Sequence, residues 1–364
     1  MGRLYLPKWG QPAFRRRPED GAPCPVLHLT LAAPGEPLVA LTRALARFGP
    51  LTRIAWTELC TQLGAERALR EILAAAAAVR PGLIWMQVQG PGPLADAAYL
   101  RALRQAAGPQ ARLVTWTGDV TDHGAGGGIT LRTAPWMLAM CEAVDLFTAC
   151  HCDYPQALHD AGAAASCGFM QCGFDAELFN YRPQRLAQRG VDGLVWLASR
   201  YPTLASGERD ALARLLLREL PGRLTCYGGG WAEIIGEAAA GGIDPVSSSY
   251  LYSHAPLALS ISHSSVLRRY TSDRLMRIMA SGGVGLVREF PDMQGLGCLD
   301  GETCLVWRTP EELVALARDW LRPARDGDRT RIRQAAWAIA HRHMTWDAAI
   351  EELAWMLHEE ARRG

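Results

Sequence analysis

From Pro25 onward, short apolar runs rich in β-branched and aromatic residues alternate with longer Ala/Leu/Arg stretches of helical period, the pattern of parallel α/β units. The spacing predicts strands at 26–31, 51–56, 83–88, 112–116 and 146–150, with helices near 38–48, 65–78, 95–106 and 134–143 between them. A stretch of Arg, Gln and Pro at 179–192 carries little apolar periodicity, and a second series begins at Gly193. That series reads as strands 193–199, 223–227, 257–262, 284–287 and 304–307, interleaved with helices 208–219, 272–281 and 310–321. Two more helices are expected near 330–343 and 346–360. The charge-free run 245–267 holds eight serines, two histidines and an internal Pro256, so it reads as a loop plus one strand rather than as a membrane span.

These elements give an α/β fold class: two Rossmann-like, doubly wound domains facing a cleft, followed by C-terminal helices. The expected division is a tail at 1–22, a first domain at 23–180, a second at 190–344, and a closing helix at 345–364 that packs back on the first domain. In such a fold ligands lie at the carboxyl ends of the strands.

Composition narrows the function classes. The chain has 364 residues, 49% of them hydrophobic, with 38 basic against 37 acidic side chains. Disorder is excluded at that hydrophobicity, and near-neutrality opposes a dedicated polyanion binder. Lys8 is the only lysine, so nearly all the positive charge is arginine, as an Arg- and Ala-rich coding bias would produce. The ten cysteines are scattered, and the first 20 residues lack a signal-peptide core. Reduced thiols and a cytoplasmic location are therefore expected. Cys150, His151 and Cys152, with Cys167 and Cys172, invite a zinc reading, but their spacing departs from the usual paired Cys ligands and free core thiols are expected.

The most informative stretch is 260–283. A strand ends at Ser262, a polar loop follows, and Ser272 or Asp273 caps a helix that stops at Gly282-Gly283. Arg274 and Arg277 share a face near the helix amino terminus, where two guanidiniums repel the dipole and each other unless an anion joins them. A nucleotide diphosphate is the expected anion. The alternative is an ordinary surface helix with Arg274 paired to Asp273 or to a distant carboxylate.

This segment resembles the donor domain of group 1 glycosyltransferases of the GT-B fold, a set that includes the CgeB-like spore-maturation proteins. The similarity continues through Gly282-Gly-Val-Gly-Leu-Val287, Asp300-Gly-Glu-Thr-Cys-Leu-Val-Trp307, Thr309-Pro-Glu-Glu-Leu313 and Met344-Thr-Trp346. Upstream, Thr115-Trp-Thr-Gly-Asp-Val120, Gln171-Cys-Gly-Phe-Asp175 and Cys226-Tyr-Gly-Gly-Gly-Trp231 are similar as well, so the resemblance spans most of 112–346. One position departs: the family often carries Arg-x-(Phe/Tyr)-Glu at the helix start, where this chain has Arg274-Leu-Met-Arg277. An arginine cannot accept ribose hydroxyl hydrogen bonds, and the expectation is that Arg277 turns to the diphosphate instead.

The resemblance implies transfer of a sugar from a nucleotide donor, with UDP the expected nucleotide, to an acceptor hydroxyl held by the first domain, without a metal or other cofactor. The donor-binding set it implies is Arg200, Tyr201, Tyr227, Gly228, Ser262, His263, Tyr270, Ser272, Asp273, Arg274 and Arg277. Asp119, after the strand at 112–116, is the expected general base, with His123 beside the loop Gly124–Gly128 as the competing one. Two other functions stay open: a phage-type transferase acting on hydroxymethylated pyrimidine in DNA, with Arg15–Arg17 and Arg268-Arg269 as basic contacts, and a non-catalytic sugar-nucleotide binder. The acceptor is a glycan, a protein or modified DNA.

Overall fold

The computed structural model describes residues 2–31, 39–118, 135–180, 192–200 and 206–362. The chain separates into two units: Met1–Gly173 with Val266–Tyr270 and Trp346–Gly364, and Phe174–Ser265 with Thr271–Thr345.

The first unit is built on β1 (Leu4–Tyr5), β2 (Val26–Thr30), α1 (Val39–Leu45), β3 (Leu51–Ala55), α2 (Trp56–Leu63), α3 (Ala65–Val79), β4 (Leu83–Gln87), α4 (Ala97–Ala107), β5 (Arg112–Thr117), α5 (Pro135–Met140), β6 (Leu146–Ala149), α6 (Asp153–Asp160) and β7 (Ser166–Phe169). Its strands form one parallel sheet in the order β1-β7-β6-β5-β4-β2-β3. Every residue of β2, β4 and β6 is buried, as a sheet covered by helices on both faces requires. The alanine-rich α3 buries Ala68, Ile72 and Ala76, spaced at four, on one face, and packs on α2 and α4. Helix α4 begins two residues later than expected because Asp96 is its cap, accepting the Tyr99 N–H at 2.8 Å.

The amino-terminal residues expected to be a tail are instead ordered structure. Leu4 and Tyr5 pair with Cys167 and Gly168, adding an edge strand that a two-residue apolar pair is too short to announce in sequence.

The second unit comprises β8 (Leu194–Leu197), α7 (Ser206–Glu219), β9 (Leu224–Tyr227), α8 (Ala232–Ile235), α9 (Pro245–His254), β10 (Leu257–Ser260), α10 (Asp273–Ala280), β11 (Gly285–Arg288), β12 (Leu305–Trp307), α11 (Pro310–Trp320) and α12 (Asp326–His343). Its parallel sheet runs β12-β11-β10-β8-β9. The core joins Leu194, Trp196, Leu257, Leu259, Leu286 and Leu305 from the strands to Leu212, Ala213, Leu216 and Leu313 from the helices.

Helix α9 corrects the loop expected over its residues. Asp244 caps it by accepting the Val246 and Ser247 N–H groups, each at 3.0 Å, and Pro245 occupies the first turn. Its serines find partners both within the helix and beyond it: Ser248 Oγ donates to Pro245 O at 2.7 Å, and Ser249 Oγ meets Ser281 Oγ at 3.0 Å. Serine's weak helix propensity is outweighed by these tertiary partners.

The last helix, α13 (Trp346–Ala361), belongs to the first unit. Its Trp346 ring stands edge-on to Trp116 with centroids 5.6 Å apart, and Ala349, Ile350, Leu353 and Met356 enter the core. Among the described residues no helix is long and apolar enough to cross a membrane, and no group of His, Cys, Asp and Glu is placed to hold a metal ion. Cys150, Cys152, Cys167 and Cys172 are not joined in disulfides.

Candidate functional site

The carboxyl edge of the second sheet is where the chain turns from β10 into α10. Ser262 Oγ accepts the Ser272 N–H at 2.9 Å, fixing the entry to the helix. Ser272 has the extended backbone of an N-cap, yet its side chain makes no capping bond. Its Oγ is buried without a partner among the described residues, as is the Oγ of Ser260 at the end of β10. Two buried hydroxyls beside an open helix amino terminus are polar groups with unused hydrogen-bonding capacity, the makings of an anion site.

The arginines at this edge have separate tasks. Arg274 donates through Nε to the carbonyl of Leu197 and through a terminal nitrogen to that of Ile261 at 2.9 Å. It thus ties the ends of β8 and β10, satisfying carbonyls the sheet leaves over. Arg277 pairs with Asp273, one helical turn back, at 2.6 Å, and its guanidinium lies 5.2 Å over the Phe179 ring. The surface-helix alternative paired Asp273 with Arg274; at a spacing of four, Arg277 reaches it along the helix face whereas the adjacent residue points elsewhere.

Beside this edge lies a cavity of about 670 Å³, wholly within the second unit. Tyr227 and Ile243 form one wall, Ser249, Ser253 and His254 of α9 another, and Glu177 and Asn180 a third. Phe179, between two lining residues, carries the Arg277 guanidinium, and the lining residues Ser249 and Ser253 bond Ser281 just after α10, so the cavity adjoins the later part of that helix. Asn180 is held in place by the Trp337 indole, which donates to its Oδ1 at 3.0 Å. Tyr250 stacks on His254 with centroids 3.9 Å apart, and His254 Nδ1 bonds the Tyr250 carbonyl at 2.8 Å. Burial raises the Tyr227 phenol above its usual range, and raises that of Tyr252 further. Both therefore stay protonated and act as neutral hydrogen-bonding groups.

Gly228, directly after Tyr227, has φ +124°, and any Cβ there would run into the Ala198 carbonyl. The glycine is required where the turn after β9 crosses the end of β8. Arg200 is committed elsewhere: Asp210 accepts from Nε at 2.9 Å and from a terminal nitrogen at 3.0 Å, and Glu233 lies 3.5 Å away. That carboxylate pairing supplies the counter-charge expected from donor phosphates. His263 is exposed on the loop after β10. Tyr270 is not with the others: its ring is buried in the first unit, edge-on to His151 at 5.9 Å. Tyr201, Asp119 and His123 lie outside the described residues.

Sequence reasoning missed the α9 wall. The signal that could have found it is Asp244-Pro245, a cap followed by proline at the first helical position.

Residues 208–354 match a protein family described as glycosyl transferase-like. No curated protein matches the chain. Among solved structures, HepE of Anabaena, in complex with UDP and glucose, aligns with a TM-score of 0.63 at 14% identity, covering 92% of this chain and 100% of that one. A glycosyltransferase from Rickettsia africae aligns at 0.63 and 11% identity over 94% of this chain and 100% of that one. Sucrose-phosphate synthase from Thermosynechococcus elongatus aligns at 0.61 and 12% identity over the whole of both. The chain therefore has the GT-B fold, with the glycosyl transferase-like match covering most of its second unit.

Proposed function

We propose that the protein is a glycosyltransferase that binds a nucleotide sugar in its second unit and passes the sugar to an acceptor hydroxyl. The observation that carries this reading is the cavity beside α10, in a segment with a glycosyl transferase-like match, on a fold shared with a protein solved in complex with UDP and glucose. UDP is the favoured nucleotide. Its base and ribose fit the space between Tyr227 and α9, and its diphosphate reaches the open amino terminus of α10, with Ser260 and Ser272 as donors. Arg277 exchanges Asp273 for a diphosphate oxygen, and Arg274 acts by holding the strand ends in place. The finer resemblance to CgeB-like proteins belongs to the same proposal.

In the reaction the bond from the anomeric carbon to the phosphate oxygen breaks, a bond to the acceptor oxygen forms, and the acceptor proton passes to a base. Asp119, with His123 as the competing group, is the base the sequence offers. Charge builds on the departing diphosphate, so fixed donors at α10 stabilise the transition state. These donors need no metal, and transfer is expected to survive exhaustive chelation.

The test is thermal shift with UDP and UDP-glucose, followed by transfer of radiolabelled glucose. Tyr227→Ala is expected to weaken UDP binding by about tenfold, as loss of a cavity wall implies. Failure of the wild-type protein to bind any uridine nucleotide at millimolar concentration overturns the reading.

A further inference from the structure

The first unit has a second prepared surface that the donor site does not use. After β1 the chain makes a turn at Lys8-Trp9-Gly10-Gln11, closed by the Gln11 N–H donating to the Lys8 carbonyl at 3.1 Å, with Gly10 at φ +73°. Trp9, at the tip, is 60% exposed, although an indole is normally among the more buried side chains. The turn is fixed from beneath. Arg269, only 1% exposed and held at φ +61°, donates to the Lys8 carbonyl at 2.8 Å and to that of Gln11.

Its neighbour Arg268 finishes the surface. The Arg268 guanidinium donates to Pro7 O at 2.7 Å and lies 5.4 Å over the Trp9 ring. Its backbone is anchored on both sides, with the N–H bonded to Asp153 Oδ2 at 2.9 Å and the carbonyl accepting from Cys152 N–H at 3.0 Å. With a cation on one face of the indole, the exposure of Trp9 belongs to its other face and edge. These residues follow the ends of β1 and β6, so the surface is at the carboxyl edge of the first sheet, where doubly wound units bind ligands.

Charge and composition point the same way. Residues 1–18 contain no acidic side chain, and Lys8 is exposed and makes no ion pair among the described residues. It is also the only lysine in a chain that otherwise uses arginine throughout, and it stands next to the exposed tryptophan. An open aromatic face packs against the C–H face of a sugar ring, while the ammonium of the adjacent Lys8 and the guanidinium stacked on the same indole match a phosphate reaching past the ring edge.

We propose that Lys8, Trp9 and Arg268 form a binding subsite for a phosphorylated saccharide, the ring on Trp9 and the phosphate between the two cations. As a statement about binding this rests on the first unit alone; as a statement that the saccharide is the acceptor it rests on the transferase reading above.

The single lysine makes the test direct. Reductive methylation with ¹³C-formaldehyde labels Lys8 and the terminal amine of the full-length protein, and the Lys8 resonance is followed against glucose 6-phosphate, glucose and inorganic phosphate. The expected result is half-saturation by glucose 6-phosphate at a concentration at least about tenfold below that of either fragment, an advantage lost in Trp9→Leu. Because Trp9 is exposed, that variant keeps its fold, checked by circular dichroism. Equal response to phosphate and glucose 6-phosphate, no response, or an unchanged response in Trp9→Leu overturns the subsite. A response confined to anionic vesicles or to an oligonucleotide overturns it in favour of a membrane or nucleic-acid surface. UDP binding by the wild-type protein is scored separately, so failure of the donor reading does not count against this one.

Discussion

The two sheets end differently at their carboxyl edges. In the second unit Arg274 is used up on strand carbonyls, Arg277 on Asp273, and the unused polar capacity is in the hydroxyls of Ser260 and Ser272. In the first unit Arg269 likewise serves backbone carbonyls, but an exposed indole and an exposed lysine remain above it. The comparison teaches that an arginine at a sheet edge serves first as a brace for carbonyls the ladder leaves unpaired. Binding capacity has to be sought in what the brace leaves over.

The sharpest way to break that comparison is Arg274→Ala. Loss of two charge-assisted bonds leaves the Leu197 and Ile261 carbonyls unpaired, and urea unfolding of the second unit is expected to lose about 4 kcal/mol. An unchanged unfolding midpoint, together with lost UDP binding, would make Arg274 a ligand contact and not a brace.

Glu352 gives the first unit a signature of its own. It is 2% exposed, and burial raises its pKa to about 7 despite Arg15 at 3.5 Å and the Gln171 N–H at 3.1 Å. Desolvation outweighs a single long ion pair at this depth. The folded state therefore holds a proton that the unfolded chain releases at its ordinary value of 4.5, so this contribution is full below pH 4.5 and is lost as pH rises through 7. Glu352→Gln is expected to remove that loss, shifting stability at pH 8 relative to pH 4.5 by about 3 kcal/mol in favour of pH 8. Chemical denaturation of both proteins at the two pH values measures it. His28 and His151, held near pKa 3 chiefly by burial, act in the opposite sense and are present in both proteins. They withdraw stability as pH falls below 6.5.

Smaller effects sharpen the second unit's side. Gly228→Ala meets both the positive φ and the Ala198 carbonyl, and about 2 kcal/mol of destabilisation is expected in a thermal melt. Trp337→Phe removes the bond to Asn180 while keeping a ring against His341, and is expected to cost at most about 1 kcal/mol, with a slight weakening of UDP binding if Asn180 is a working part of the cavity wall.

Legibility in the sequence followed the length of each periodic pattern. Long amphipathic stretches such as α3 and α11 could be located within a residue or so, because their buried positions repeat at helical spacing. β1 could not, since two residues carry no period, and α9 was hidden by serines whose partners, such as Ser281, are more than 25 residues away. The loop 260–273 stood out in sequence as basic and polar, but nothing in its composition said that Val266–Tyr270 would join the first unit while Thr271 onward joined the second.

The sequence by itself determined two α/β series, their order, and a helix start at Ser272 and Asp273 with arginines behind it. These follow from local periodicity and capping, which depend on residues within a turn or two. Tertiary structure decided what each charge does: Arg277 on Asp273, Arg274 on two strand ends, Arg269 beneath the Lys8 turn, and Glu352 holding its proton up to about pH 7 through burial. A guanidinium reaches any acceptor that the fold brings within a few ångströms, and desolvation depends on the whole surrounding shell. Neither property is local in the chain, so neither could be read from it.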